Sequence, residues 1–222
     1  MPVVAQRPPI PGTAKTGRLT DREAILVRAD LPSNQLSVVN AQSGNFTYVI
    51  TVPIPNGQLK VLRGWCAVDV SVRGQTLRYI DTHLEEETVP QLQVAQVQEL
   101  LAGPAYVDLP VIITGDFNTD PLHRDGTYAY DLFGVAGFVD AWTVLYPSAA
   151  KGGLTWGHDE YLADPGTAFD RRIDLVFFRG AAFEPKQGQV IDLSLKRAQP
   201  PLWASDHAAV NTHFLISGAS GD

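Results

Sequence analysis

Four short stretches of the sequence end or begin an apolar run with side chains suited to acid–base or metal chemistry. They read RYIDTHLE, VIITGDFNTD, RRIDLVFF and LWASDHAAV, and each apolar run is rich in strand-forming residues. Polar groups at strand ends can meet at one edge of a sheet. In chain order these candidates are His83, Asp116, Asn118, Asp174, Asp206 and His207.

The chemistry of these side chains suggests hydrolysis of a phosphate ester. Asp116 and Asn118 are two residues apart, so a strand would direct both into one cleft. A carboxylate and an amide oxygen suit Mg²⁺ or Mn²⁺. His207 could act as a general acid or base with its tautomer fixed by Asp174, and His83 could donate to a phosphate oxygen. Together they predict metal-assisted attack by water on a phosphoester.

Each stretch taken alone also fits a structural role. GDFNTDP could be a turn in which Asp116 and Asn118 satisfy backbone groups. His83 could be a hydrogen-bonded histidine at the rim of the core. Asp206 could cap a turn, and Asp174 could be a paired structural acid. The occurrence of all four stretches in one chain favours the catalytic interpretation.

The elements that must position these residues are mostly strands. Strands are predicted at 24–30, 35–41, 45–52, 61–72, 76–84, 172–178, 189–195 and 207–215, and the apolar run before Gly115 is a further strand buried on both faces. The turn clusters PNG and RGQ suggest antiparallel neighbours. PQLQVAQVQELLAGP predicts a helix that begins near Pro90 and stops at Gly103, and a weaker helix is expected in YAYDLFGVAG. An α+β layered domain is the expected class.

Composition limits the possible partners. The 222 residues carry 17 Lys and Arg against 24 Asp and Glu, a net charge of −7, so nucleic acid stays open as a substrate but is not favoured. Apolar runs are too short for a membrane span, and the start lacks a signal-peptide core, so a soluble chain is expected, with its compartment undecided. The single Cys66 should be a buried, inert thiol.

In their order, the four stretches resemble the endonuclease/exonuclease/phosphatase superfamily, and a bacterial branch of it. That superfamily comprises metal-dependent phosphoesterases, among them DNase I-like nucleases, sphingomyelinases and inositol-phosphate phosphatases. The resemblance covers roughly residues 22–215. It implies a DNase I-like four-layer α/β/β/α sandwich over residues 21–216, with a flexible arm at 1–20 and a flexible tail at 217–222. For longer relatives, secretion is the alternative.

The resemblance also implies roles for the candidate residues. His83 would contact the scissile phosphate. Asp116 would position or deprotonate the attacking water, and Asn118 would orient the water and the phosphate. Asp116, Asn118 and Asp206 would form the site for Mg²⁺ or Mn²⁺. His207 would bind the phosphate and stabilise the transition state.

The same resemblance makes Asp174 the residue that supports the catalytic histidine. The loop at 151–170 is the expected substrate side, with Trp156, His158 and Tyr161 lining a specificity pocket and Trp203 beside the SDH motif. Alternatively, these aromatic residues pin a long loop to the sandwich.

One part of the family pattern is missing from this sequence. The family begins with a strand, a helix and a strand that carries a metal-binding glutamate, whereas Glu23 has no metal-site context and residues 85–87 suggest a solvated acidic turn. An N-terminally shortened sandwich is therefore expected, with weak metal affinity and with low or absent activity unless a second chain supplies the missing ligands. Exposed sheet surface predicts a homo-oligomer. The alternatives are a catalytically impaired binding or assembly module, and a fragment of a longer gene product.

Overall fold

The computed structural model of the chain describes residues 19–20, 22–55, 57–148, 152–159, 161–164, 169–191, 197–198 and 201–217. The predicted flexible arm, apart from Leu19–Thr20, and the predicted tail, apart from Ser217, lie outside the described residues. Within the described part of the chain, no helix is long and apolar enough to cross a membrane.

The described residues form thirteen strands and three helices. The strands are β1 (Leu19–Thr20), β2 (Leu36–Asn45), β3 (Ile50–Ile54), β4 (Gly57–Leu62), β5 (Gly64–Val72), β6 (Gln75–His83), β7 (Val111–Asp116), β8 (Val139–Asp140), β9 (Asp174–Arg179), β10 (Phe183–Ile191), β11 (Arg197–Ala198), β12 (Pro201–Leu202) and β13 (Ala209–Ile216). The helices are α1 (Pro90–Ala102), α2 (Ala129–Val135) and α3 (Ala141–Leu145). The predicted α+β class is confirmed.

The largest sheet has six strands in the order β2-β5-β6-β7-β9-β8. Its neighbours are antiparallel except β6 and β7, which are parallel because α1 crosses over between them. The predicted RGQ turn joins β5 to β6, with Arg73 at φ 49° and Gly74 at φ 86°, the left-handed conformations that a tight hairpin turn requires. The crossover places the ends of β6 and β7 at one edge of the sheet.

One face of this sheet packs against α1 and α2. The helix α1 begins with Pro90 in its first turn and ends at Gly103, as predicted. Phe133 of α2 stacks on Phe177 of β9 with ring centroids 4.4 Å apart, and Phe117 meets both rings edge-on. All three rings are fully buried, so this aromatic cluster anchors the segment that follows β7.

Two buried glutamines of α1 tie the loops at this edge of the sheet. The Gln96 side chain accepts a hydrogen bond from the Glu85 backbone N–H at 2.7 Å and donates to the Tyr48 carbonyl at 2.8 Å. The Gln93 amide donates to the Asn118 carbonyl at 2.7 Å. Because these loops would otherwise bury unpaired backbone groups, the two side chains fix the chain on either side of the site.

The opposite face of the six-stranded sheet is covered in part by the β10–β13 ribbon. Phe214 of β13 packs against Phe178 and Phe183, with ring centroids 5.4 and 5.7 Å apart. Beside this ribbon an apolar cavity of about 360 Å³ opens between Val68, Leu77 and the segment 24–28. Among the described residues β13 pairs only with β10, so its other edge is open.

Four strand predictions are corrected by the structure. Residues 24–30 form no strand: half-buried Ile25 and Val27 alternate with exposed Leu26, because the segment lies along the sheet face without pairing to a strand. The strands predicted at 35–41 and 45–52 are instead β2 and β3, since β2 stays paired with β5 as far as Asn45. The strand predicted at 189–195 begins earlier, at Phe183, and residues 192–196 lie outside the described part.

Candidate active site

Three neighbouring strands bring three of the candidate residues to one edge of the sheet. His83 is the last residue of β6, Asp116 the last of β7 and Asp174 the first of β9. In the sheet register His83 lies opposite Asp116, and Asp116 lies opposite Asp174. The parallel pairing of β6 and β7 makes both strands end together, and antiparallel β9 starts there.

In GDFN, Gly115 and Asn118 each adopt a backbone conformation that explains the residue type at that position. Gly115 has φ 144°, and a Cβ atom there would lie 1.8 Å from the Thr82 carbonyl oxygen, so only glycine fits. Asn118 adopts a left-handed φ of 48°, and its backbone N–H donates to Asp116 Oδ1 at 2.9 Å. Asp116 and Asn118 do line one cavity, but a turn brings them together and not the alternation of a strand.

His83, Asp116 and Asn118 form a connected group. His83 Nε2 lies 3.2 Å from Asp116 Oδ2 and 3.3 Å from Asn118 Nδ2. The Asn118 amide also donates to the Leu84 carbonyl at 3.0 Å, which fixes the orientation of its side chain. Asn118 itself lines the cavity.

His207 is supported by Asp174, as the sequence analysis expected of this pair. His207 Nδ1 and Asp174 Oδ2 are 2.8 Å apart, and His207 Nε2 points toward Asp116 Oδ2 at 3.8 Å. Burial lowers the pKa of His207, but the hydrogen bond to Asp174 and the charges of Asp174, Asp116 and Asp206 outweigh burial, so the pKa is raised above its ordinary value. His207 therefore keeps its positive charge at a higher pH than a free imidazole.

The site opens into a cavity of about 310 Å³. Asp206 lies on its wall together with His83, Asp116, Asn118 and His207, whereas Asp174 stands behind His207 and is not among the lining residues. Five of the six residues predicted to be catalytic thus line one cavity, and the sixth supports one of them. The remaining wall residues are Arg63, Glu86, Glu87, Thr88, Trp156, Arg171 and Ile173.

The cavity contains the residues predicted to hold Mg²⁺ or Mn²⁺. Asp116, Asn118 and Asp206 all line it, and carboxylate and amide oxygens are the ligands that hard divalent cations prefer. Among the described residues, the acidic and histidine side chains that form a group with ligand atoms within 4.8 Å of one another are Asp116, Asp174 and His207, and Asp206 is not in this group. A cation held by that group would compete with the Asp174–His207 hydrogen bond.

Sequence reasoning missed two arginines of the cavity wall, Arg63 and Arg171, and misjudged the acidic turn at residues 85–87. Arg63 precedes β5, and its Nη1 lies 2.8 and 2.9 Å from the two ring nitrogens of His83. Glu85 is 2% exposed and sits 3.5 Å from Arg63 Nε, so the expectation of a solvated turn is wrong for Glu85. The hairpin register offered a signal, because Gly64 pairs with His83 and Arg63 is the residue before it.

Glu23 lies away from the cavity. It is near Asp81 and Cys66, on the face of the six-stranded sheet that the β10–β13 ribbon leaves open. Burial raises the pKa of Asp81 to about 6 and that of Cys66 to about 11. A thiol with that pKa is unreactive near neutral pH, in keeping with the inert role predicted for Cys66.

The three predicted substrate-binding aromatics separate into two groups. Trp156 lines the cavity next to His207. His158 is 4% exposed, stacks on Trp203 at 4.0 Å and lies 3.0 Å from Asp164, while the Trp203 indole donates to the Asp164 carbonyl. His158 and Trp203 are not among the lining residues, and their contacts match the alternative in which aromatics pin the loop. Tyr161 is 78% exposed.

Comparison with known proteins identifies the family of this chain. The model of the Endonuclease/Exonuclease/phosphatase family matches residues 19–207. The chain belongs to this family. Members of the Endonuclease/Exonuclease/phosphatase family are hydrolytic phosphoesterases and nucleases, and its enzymes generally use divalent metal ions. The resemblance predicted from the four motifs is confirmed.

Solved structures of the family share the fold at low sequence identity. The mannosyl-6-phosphatase Bt3783 of Bacteroides thetaiotaomicron has a TM-score of 0.57 and 21% identity, covering 82% of this chain and 68% of that one. The human Nocturnin catalytic domain has a TM-score of 0.54 and 19% identity, and the match covers 83% of this chain and 61% of that one. TDP2 of D. rerio, complexed with a single-strand DNA product, has a TM-score of 0.53 and 20% identity, and the match covers 82% of this chain and 69% of that one. The chain thus spans about two thirds of these structures. None of the curated proteins matches it.

Proposed function

We propose that this chain is a divalent-metal-dependent phosphoesterase that hydrolyses a phosphodiester or phosphomonoester by direct attack of water. The observation that supports this most is the convergence of two imidazoles on one carboxylate oxygen. Asp116 Oδ2 lies 3.2 Å from His83 Nε2 and 3.8 Å from His207 Nε2, inside a cavity large enough for a small phosphate ester. A phospholipid headgroup, another small phosphate ester and nucleic acid are the candidate substrates.

In this mechanism Asp116 orients the attacking water and accepts its proton. The Asn118 amide, held by the Leu84 carbonyl, orients the water and the phosphate. His83 donates to a phosphate oxygen, and Arg63 against its ring adds positive charge beside it. Each of these groups is positioned before substrate arrives, because every one is hydrogen-bonded to the strand ends.

His207 contributes a positive charge to the transition state. The Asp174 carboxylate fixes the His207 ring at 2.8 Å and favours the imidazolium form. A charged donor near the phosphate stabilises the negative charge that develops on its oxygens. Asp174 therefore acts through His207 and not on the substrate.

Asp116, Asn118 and Asp206 are the residues we assign to Mg²⁺ or Mn²⁺. A divalent ion bound there would polarise a phosphoryl oxygen and neutralise developing charge. Trp156 forms a wall for the leaving group, and His158 with Trp203 keeps that part of the loop in place. The net charge of −7 favours a small ester or lipid headgroup over duplex nucleic acid.

Self-association is proposed as the second property of the chain. The sheet face beside Val68 and Leu77 carries an apolar cavity of about 360 Å³, with Leu26 96% exposed at its margin. A second copy of the chain would cover that surface and pair with the open edge of β13. Light scattering is expected to give at least a dimer, and a clean monomer would contradict the proposal. A dimer that lacks activity would favour the assembly-module alternative.

The function is tested by hydrolysis of bis-p-nitrophenyl phosphate and of supercoiled plasmid with Mg²⁺, Mn²⁺ or EDTA. We expect metal-dependent release of p-nitrophenol and weaker nicking of the plasmid, both lost in His207→Ala. The variant is the matched control because it removes one side chain from the cavity wall. A folded wild-type protein without activity toward any phosphate ester would refute the proposed function.

A further inference from the structure

The cavity contains a second guanidinium, Arg171, that the hydrolytic roles above do not use. Its central carbon lies 3.9 Å from the centroid of the Trp156 ring, and its Nη1 donates to the Glu87 carboxylate. Its Nε is 3.8 Å from Asp170. The side chain is 25% exposed, so the guanidinium lies at the cavity wall and is not extended into solvent.

The backbone holds the Arg171–Trp156 stack next to the catalytic histidine. Trp156 forms isolated β-bridges with Arg171 on one side and His207 on the other. The Trp156 N–H donates to the Arg171 carbonyl at 3.2 Å, and the Trp156 carbonyl accepts from Asp170 at 3.0 Å. A stacked, hydrogen-bonded arginine loses little conformational freedom when an anion binds.

Most hydrogen-bonding capacity of this guanidinium is unused. Arginine has five N–H donors in a planar fork that matches a phosphate, and here only the Nη1 of Arg171 donates within the described part of the chain. Arg63, by contrast, lies against the His83 ring, where the reacting phosphate is expected. The two arginines therefore adjoin different histidines and serve different positions.

We propose that Arg171 determines specificity by binding a second phosphate group of the substrate, beside the phosphate that is hydrolysed. This inference rests on the proposed function, because it places the first phosphate at His83 and His207. Glu87 is the internal counter-ion, which the second phosphate displaces from Arg171. The preferred substrates are small molecules with two phosphate groups.

Binding of two matched probes tests the inference without requiring turnover. Thymidine 3′,5′-bisphosphate and thymidine 5′-monophosphate differ by one phosphate, and their affinities can be measured by calorimetry in EDTA. We expect the wild-type protein to bind the bisphosphate at least about 10-fold more tightly, as one charge-assisted contact would give. Arg171→Gln should reduce this ratio to about one and leave monophosphate affinity within about 2-fold.

Glu87→Gln is the companion variant, and it should act in the opposite direction. Removing the counter-ion frees Arg171, so the affinity for the bisphosphate should rise while that for the monophosphate stays unchanged. Circular dichroism of each variant checks that the fold is kept. Opposite effects of the two substitutions would not arise if Arg171 only supported Trp156.

Four outcomes would overturn the inference. The first two are no detectable binding of the bisphosphate and a wild-type affinity ratio near one. The other two concern Arg171→Gln: an unchanged affinity ratio, or an equal loss of both affinities, which would mean that Arg171 only holds Trp156. The proposed function is judged separately by hydrolysis of bis-p-nitrophenyl phosphate, which has one phosphate. If the protein hydrolyses this ester but binds the bisphosphate no more tightly than the monophosphate, only the inference is refuted. If it prefers the bisphosphate but does not hydrolyse the ester, only the proposed function is refuted.

Discussion

Replacing Asp174 by asparagine removes the negative charge behind His207 and keeps the shape of the side chain. The Asp174 Oδ2–His207 Nδ1 hydrogen bond is 2.8 Å long, and both side chains are about one-fifth exposed, so solvent screens it only in part. A hydrogen bond to a charged group contributes about 1.5–3 kcal/mol. If that interaction acts on the transition state, Asp174→Asn should lower kcat/KM roughly 10- to 150-fold, at 1.36 kcal/mol for each factor of ten.

The same substitution should change the pH dependence in a defined direction. Asp174 raises the pKa of His207, so the wild-type imidazolium persists to a higher pH, and Asp174→Asn should lower that pKa. The descending limb of the activity profile should then move to lower pH. By linkage, the stability that comes from the raised pKa of His207 is fully present below the pKa of unfolded histidine and is lost as pH rises through the raised pKa of the folded state.

Two measurements check this prediction. NMR titration of the His207 ring gives its pKa with or without turnover, and hydrolysis of bis-p-nitrophenyl phosphate between pH 5 and 9 gives kcat/KM. His207→Ala and the double variant complete the cycle: once His207 is absent, Asp174→Asn should have little further effect. An unchanged titration of His207, or an equal loss of activity in the His207→Ala background, would refute the role assigned to Asp174.

Three further predictions concern the scaffold. Gly115→Ala places a Cβ atom against the Thr82 carbonyl oxygen and should lower the free energy of unfolding, measured in urea, by roughly 3–5 kcal/mol. A decrease below about 1 kcal/mol would show that the strand ends tolerate the clash and would contradict the prediction. Arg172→Met leaves buried Asp140 without its 2.7 Å ion-pair partner and should cost about 3–5 kcal/mol, measured the same way; an unchanged midpoint would contradict it. Cys66, with a pKa raised by burial to about 11, should be alkylated at pH 8 roughly 100-fold more slowly than a free thiol until urea is added, and fast labelling of folded protein would oppose this.

The residue types at strand ends predicted which side chains meet at one edge of the sheet, because a sheet brings sequence-distant strand ends together. His83, Asp116 and Asp174 each adjoin a strongly apolar strand, and the parallel β6–β7 pair follows from the helix between them. The apolar spacing of α1 similarly predicted its buried face, including Val97 and Leu100. Periodicity and capping carry this information locally.

Other features depend on contacts that periodicity does not encode. The alternation of half-buried and exposed side chains in residues 24–30 is equally compatible with a paired strand and with an unpaired segment that lies on a sheet. The structure has the unpaired segment, because tertiary packing places it on the sheet face. Arg63 lies outside the four motifs, and Arg171 is the first residue of RRIDLVFF but had no predicted role. Their place at the cavity depends on the β5–β6 register and on a bridge from Trp156, both of which are long-range pairings. Glu85 is buried because Arg63 and α1 meet it there.

Hydrolysis of bis-p-nitrophenyl phosphate in ¹⁸O-labelled water tests the central claim most directly. Mass spectrometry of the p-nitrophenyl phosphate product should show one ¹⁸O atom on phosphorus, formed with Mg²⁺ or Mn²⁺, suppressed by EDTA and lost in His207→Ala. Unlabelled phosphate product, formation that is independent of metal and of His207, or no product from folded protein would contradict the assignment of this cavity as a phosphoesterase site.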